Sequence, residues 1–130
     1  MKLITYITDE SLSPIVQNYD LVLRAKNSNT INLLVRDEEK QCVDISGSTV
    51  FFTVKTTTSI TDANASLKKD ITTHAYASSG ETDIILSSTD TSSLLGSYLY
   101  SIKIKLSTGK IYTLAEGVAT FMQEIATRTS

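Results

Sequence analysis

Tryptophan is absent from the sequence, and cysteine, proline and histidine each occur only once. Cys42 has no second cysteine to pair with, so the fold has to be stable without an internal disulfide bond. A zinc site would have to add two carboxylates to Cys42 and His74, and no ligand spacing suggests one. Without tryptophan, the aromatic platform typical of a carbohydrate-binding module is sparse. The rare residue types therefore leave few ways to build a catalytic or metal site, and no cofactor is expected.

Clustered glycines and basic runs are missing as well. The five glycines each stand at a predicted turn or bulge, so no glycine-rich loop is predicted to cradle a phosphate group. The formal charge of -2 and the lack of a basic stripe exclude simple electrostatic capture of nucleic acid or anionic lipid. The N-terminal apolar stretch is too short, and too interrupted by threonine, for a signal peptide or a membrane anchor. We expect a protein made in a cytoplasm, with neither nucleic acid nor membrane as partner.

Hydroxyl side chains, by contrast, are abundant. The 17 serines and 19 threonines among 130 residues favour strands and turns over helices. Apolar and polar residues alternate along most of the chain, most clearly in YLYSIKIKL, residues 98–106. Shorter or weaker alternating segments occupy residues 19–25, 30–36, 45–57, 65–71, 82–87, 111–115 and 117–125. Seven or eight short strands without a long helix predict a single all-β domain, a β-sandwich.

The phase of the alternation predicts which side chains form the core. The residues predicted to face inward are Leu21, Leu23, Ile31, Leu33, Val35, Val50, Phe52, Val54, Ile84, Leu86, Ile102, Ile104 and Phe121. The segments at 19–25 and 30–36, joined by the turn KNSN, are predicted to pair with each other.

One corner breaks the alternation, from Ser88 to Gly96. Asp90 or a neighbouring hydroxyl is predicted to cap a single helical turn there, with Leu94 and Leu95 packed against the core.

No segment carries a catalytic motif. His74 lies in a polar segment without a nucleophile elbow, so we predict an exposed loop histidine rather than the base of a hydrolase. Asp37, Glu38 and Glu39 are consecutive and lack the spacing of a calcium loop, which predicts an ordinary solvated turn. The sequence therefore predicts neither enzymatic activity nor a metal site.

Two blocks of the sequence share their order and spacing with a known group of domains. The first is VDISGSTVFFTVK, residues 43–55, which follows the acidic turn. The second runs through Asp90, Thr91, Leu94, Gly96, Tyr98, Tyr100, Gly109, Thr113 and Gly117. Together they resemble the immunoglobulin-like domains of tailed-phage virion proteins, of which the N-terminal domains of baseplate upper proteins are the best known. The resemblance covers roughly residues 19–122.

The resemblance implies an immunoglobulin-like β-sandwich at residues 14–126, after an N-terminal arm at 1–13 and before a polar tail at 127–130. It implies a non-enzymatic structural component of the virion, which docks as a one-domain building block on a repeated neighbour in the tail, baseplate, neck or head. Its partners would be other virion structural proteins, present in multiple copies of a symmetric assembly. The alternative is a carbohydrate-binding adhesion module on a virion or cell surface.

Several strands carry an apolar residue out of phase, and these residues are the candidate partner interface. Phe51 and Leu99 are predicted to meet as cross-strand neighbours on the outer face of one sheet, joined by Met122. Val22 and Leu34 are predicted to meet on the outer face of the opposite sheet. A partner would cover the Phe51 face, whereas the plainer interpretation is scattered surface hydrophobes.

The N-terminal segment has a weak alternation of its own, which sets Leu3 and Ile7 against Ile4 and Tyr6. It predicts an arm that pairs with a neighbouring subunit through these residues. An intramolecular edge strand and a disordered tail are the alternatives.

Overall fold

The computed structural model describes residues 1–7, 17–56 and 65–123. The strands within these ranges are β1 (Lys2–Tyr6), β2 (Gln17–Asn18), β3 (Leu21–Arg24), β4 (Asn29–Arg36), β5 (Thr49–Lys55), β6 (Leu67–Ile71), β7 (Glu81–Leu86), β8 (Gly96–Lys105) and β9 (Ile111–Met122). A short helix α1 (Ser88–Thr91) and a 3-10 turn (Ala77–Ser79) accompany them. The predicted all-β fold class is confirmed, with β1 and the two-residue β2 raising the strand number to nine in the described residues.

The strands form two sheets. The smaller sheet has the order β1-β4-β7, in which β1 is parallel to β4 and β7 is antiparallel to it. The larger sheet has six strands: β6, β5, β8 and β9 are neighbours in antiparallel order, and β2 and β3 both run parallel to β9. β5 and β8 are neighbours, as the predicted position of Phe51 and Leu99 on one sheet requires.

The core lies between the two sheets. All thirteen residues predicted to face inward are 3% exposed or less, which confirms the phase of every strand that they occupy. The same cluster of buried side chains also contains Leu3, Ala25, Ile45, Leu94, Tyr100, Leu114, Ala115 and Ala119. The period-two pattern locates the core correctly because successive side chains on a strand point to opposite faces.

The predicted pairing of the first two segments is wrong. β3 pairs with β9 in the larger sheet, and β4 lies in the smaller one. The side chain of Asn29 explains the separation: its Oδ1 accepts a hydrogen bond from the Arg24 backbone N–H, and its Nδ2 donates one to the Arg24 carbonyl. Asn29 thereby takes the place that a hairpin partner of β3 would occupy, and the chain crosses to the other sheet.

The N-terminal strand belongs to the fold rather than to an arm. β1 pairs with β4 over its whole length, Leu3 and Thr5 are buried, and the Thr5 hydroxyl donates to the Leu34 carbonyl at 2.9 Å. The structure therefore has the intramolecular edge strand that the sequence left open as an alternative. The predicted boundary at residues 13–14 and the predicted tail at 127–130 lie outside the described residues.

The corner after β7 contains the predicted helical turn, with one difference. Ser87 and Asp90 form a reciprocal capping box on α1, and Leu94 is buried as expected. Leu95 is 56% exposed, so the prediction that it packs against the core is wrong. Asp90 also pairs with Lys69 at 2.8 Å, and this ion pair connects edge strand β6 to the corner that follows the smaller sheet.

Replacing Asp90 with alanine is expected to lower the free energy of unfolding by about 1–2 kcal/mol at neutral pH, because the change removes the ion pair and the half of the capping box in which Asp90 accepts from the Ser87 N–H. The hydrogen bond from Lys69, followed by that from the Ser87 backbone, lowers the pKa of Asp90 below its ordinary value of 3.8. A lowered pKa in the folded state stabilises the protein above the ordinary value, and this stabilisation is lost as pH falls through the lowered one. Urea denaturation at several pH values should show the difference between the two proteins shrinking as the pH falls below 3.8.

Candidate functional site

The outer face of the six-stranded sheet carries a groove. Because Val50, Phe52 and Val54 of β5 point into the core, the residues between them point to the opposite side. The groove has a volume of about 520 Å³ and crosses strands β6, β5, β8 and β9. It is lined by Phe51, Thr53, Lys55, Lys68, Asp70, Leu99, Tyr100, Ser101, Lys103, Ile111 and Glu116.

The strand register arranges these side chains in rows. In one row, Phe51 lies between Asp70 of β6 and Lys103 of β8. In the next row, Thr53 and Ser101 are opposite each other, with Lys68 of β6 beside Thr53 and Glu116 of β9 beside Ser101. The Ser101 hydroxyl oxygen is buried and has no hydrogen-bond partner among the described residues. The groove thus has a small polar centre between a partly exposed aromatic ring and charged groups of both signs.

The prediction for the out-of-phase residues Phe51, Leu99 and Met122 is correct in part. Phe51 and Leu99 share the outer face, but they are not cross-strand neighbours: Phe51 is opposite Lys103, and Leu99 is opposite Lys55 and Val118. Met122 is exposed on the same face, at the end of β9.

Val22 and Leu34 do not meet. Val22 is exposed on the larger sheet, opposite Thr120 of β9, whereas Leu34 is in β4 of the smaller sheet. The expected patch on the opposite sheet therefore does not form, because the two strands that would have carried it belong to different sheets. Val22 instead extends the face that carries Phe51.

The remaining interface candidates are on the smaller sheet. Leu34 is 6% exposed and Leu3 is in the core, so neither side chain can contact a partner in this conformation. Ile4 is exposed opposite Leu34, and Tyr6 and Ile7 are half-buried.

Two apolar residues of the outer face, Ile111 and Val118, were missed by sequence reasoning. They are seven positions apart on β9, so a regular strand would place them on opposite faces. The register shifts by one residue at Leu114, since Lys103 is paired with Thr113 but Ile102 with Ala115. This bulge puts Ile111 and Val118 on the same side. In the sequence, the adjacent apolar residues Leu114 and Ala115 interrupt the alternation at this point, and both are buried in the structure.

His74 joins the two sheets through hydrogen bonds of its partly buried ring. Its Nδ1 is 2.8 Å from the Thr82 hydroxyl, and its Nε2 is 2.9 Å from the Ser48 carbonyl and 3.0 Å from the Ser48 hydroxyl. A carbonyl only accepts hydrogen bonds, so Nε2 carries a proton and donates it to Ser48. The prediction of an exposed loop histidine is wrong: the ring is partly buried and bridges Ser48, before β5, to Thr82 of β7.

These contacts give His74 a structural position. A serine beside a histidine resembles a nucleophile and its base, but Ser48 is buried, and the other ring nitrogen faces a hydroxyl instead of a carboxylate. In this arrangement the serine hydroxyl is not accessible to a substrate.

Replacing His74 with alanine is expected to destabilise the domain by about 2–3 kcal/mol, because the buried hydroxyls of Ser48 and Thr82 lose their partner. Tyr76→Ala, in the same segment but with an exposed side chain, is the matched control and should change stability by about 0.5 kcal/mol or less. Equal effects of the two changes in denaturant melts would contradict the bridging role.

Metal sites and membrane-spanning helices were also sought among the described residues. In the ranges that the structure describes, no three His, Cys, Asp or Glu side chains come together to hold a metal ion. Among the same residues, no helix is both long and apolar enough to cross a bilayer.

Comparison with known proteins gives a likeness of fold. No protein-family model matches the sequence, and no curated protein matches it. Among solved structures, the chain is similar to the N-terminal domain of phage TP901-1 ORF48, with a TM-score of 0.51 and 11% sequence identity. The match covers 93% of this chain and 98% of that chain. The two chains therefore share their overall all-β fold across nearly their whole lengths.

Proposed function

We propose that this chain is a non-enzymatic structural component of a tailed-phage particle. The observation that carries the proposal is the full-length likeness of its fold to a domain of a phage protein. The sequence blocks at 43–55 and 90–117, which resemble phage virion domains, support it from a separate kind of information. In the particle the chain acts as a one-domain building block that docks on a repeated neighbour in the tail, baseplate, neck or head.

The outer face of the six-stranded sheet is the docking surface in this proposal. It is concave at the groove, and a partly exposed aromatic residue, Phe51, lies beside the polar centre. Leu99, Val118, Val22 and Met122 continue the apolar surface across the neighbouring strands. In protein interfaces, a few residues contribute most of the binding energy, and these are often aromatic residues surrounded by polar groups.

Phe51→Asp tests the surface. The change should leave the melting temperature within a few degrees of the original, because the Phe51 side chain is outside the core. It should reduce incorporation into particles by about tenfold or more, the effect of losing an interface anchor. The measurement is mass spectrometry of purified particles from the phage that encodes the chain, with the major capsid protein as internal standard.

Ile85→Asp is the matched control, since Ile85 is an exposed apolar residue on the smaller sheet. It should be incorporated normally. Unfolding of the Phe51→Asp protein would show that Phe51 belongs to the core, and absence of the unaltered chain from purified particles would refute the structural role itself. Saturable binding of a host polysaccharide that Phe51→Asp abolishes would instead support the adhesion module.

A further inference from the structure

The charges of the protein are unevenly distributed. The chain as a whole has a formal charge of -2. On the outer face of the six-stranded sheet, however, the described strand residues include five cations and two carboxylates, a formal charge of +3: Arg24, Lys55, Lys68, Lys103 and Lys105 against Asp70 and Glu116. Lys68 and Lys103 are both exposed, line the groove and lie on β6 and β8, the two strands that flank β5. The face is therefore suited to an acidic occupant.

The chain itself presents such an occupant in the acidic turn, residues 37–41. The Asp37 carboxylate accepts hydrogen bonds from the backbone N–H groups of Glu39 and Gln41, both at 2.9 Å. The Asp37 N–H donates to the Gln41 carbonyl and closes the turn. The side chains of Glu38 and Glu39 are exposed. A turn held by its own hydrogen bonds loses little conformational freedom when it binds.

The sizes of the turn and the groove match. Four neighbouring strands span about 14 Å, and the four-residue step from Leu99 to Lys103 spans about 13 Å. A closed turn whose ends are about 5 Å apart fits within this width together with its side chains. The turn leaves β4 in the smaller sheet, whereas the groove is on the far side of the other sheet. A turn and a groove in different layers of the sandwich can meet only between two molecules.

We propose that the groove binds the acidic turn of a second copy of this chain, with Glu38 and Glu39 of one copy facing Lys68 and Lys103 of the other. The inference rests on the proposed function and identifies the repeated neighbour as the chain itself. The contact joins two different surfaces, so each copy keeps a free groove or a free turn and assembly proceeds head to tail.

Charge reversal provides the test. Lys68→Glu/Lys103→Glu makes the groove acidic, and Glu38→Lys/Glu39→Lys makes the turn basic. Each variant alone should associate about tenfold more weakly than the unaltered chain, because like charges then face each other. An equimolar mixture should associate again, since the acidic groove of one variant accepts the basic turn of the other. Lys2→Glu/Lys26→Glu, at exposed positions outside both surfaces, is the matched control and should associate normally.

Sedimentation velocity over a range of protein concentrations measures these effects, with circular dichroism to establish that each variant is folded. Association of the unaltered chain should weaken at 1 M salt, where charges are screened beyond about 3 Å. A chain that stays monomeric at every concentration, or folded variants that fail to associate when mixed, would overturn the inference. If the chain stays monomeric while Phe51→Asp still prevents incorporation into particles, the neighbour is another protein and only the proposed function stands.

Discussion

Replacing Phe52 with alanine is expected to lower the free energy of unfolding by about 3–5 kcal/mol. Phe52 is fully buried at the centre of β5, opposite Ile102, and its ring centroid is 6.2 Å from that of Tyr100. Truncation leaves a cavity that two hydrogen-bonded strands cannot close by moving together. Because domains of this size are stable by roughly 5–15 kcal/mol, the loss is a large fraction of the total.

The neighbouring residue provides the comparison. Phe51→Ala removes the same side chain one position earlier, on the outer face, and should cost about 1 kcal/mol or less. Chemical denaturation of both variants measures the difference. A loss below about 1 kcal/mol for Phe52→Ala would mean that the two faces of β5 are the reverse of those described here.

Gly80→Ala should destabilise the domain by a comparable amount, about 3–5 kcal/mol, for two separate reasons. Gly80 has a φ of +72°, in the left-handed region that side chains disfavour. A Cβ at this position would be 2.5 Å from the Val35 carbonyl oxygen and 2.7 Å from that of Val43, and neither backbone atom can move freely. The glycine also donates its N–H to Ala77 and accepts from the Val35 N–H, so a shift would disturb these hydrogen bonds.

Gly109→Ala separates the two contributions. Gly109 has a φ of +93°, but nothing lies within 4 Å of where its Cβ would be. This variant should lose only the conformational part, about 1–2 kcal/mol, measured under the same denaturing conditions. Similar losses in both glycine variants would show that crowding at Gly80 is unimportant.

The interface candidates show where pattern reasoning works and where it stops. A residue out of phase, such as Phe51, can be assigned to the outer face from its neighbours alone, because the strand period is two. The sequence does not show that the lysines and carboxylates around Phe51 form a group. It shows only that Lys103 lies on the polar face of β8, the strand with the clearest alternation. The charged residues come from β5, β6, β8 and β9, and only the register of these strands brings them together.

His74 illustrates the same limit. A polar segment around a single histidine predicts exposure, since polar residues are mostly found at the surface. Its partners Ser48 and Thr82 are 26 and 8 residues away along the chain. Serine and threonine are so common in this sequence that nothing nearby indicates that the hydroxyls of Ser48 and Thr82 are buried and contact the His74 ring.

The sequence by itself determined the all-β class, the position of the helical corner and the thirteen inward-facing residues that it predicted. These features depend on neighbours a few residues apart, through the alternation of side chains on a strand and the local capping of a helical turn by Ser87 and Asp90. The tertiary structure decided which strands pair. It placed β3 beside β9 instead of β4, took β1 into the smaller sheet and shifted β9 by one residue at Leu114. A strand with one apolar face can pair favourably with several others, because each cross-strand pair contributes only about 0.2–1 kcal/mol, and the choice falls to the packing of the whole core.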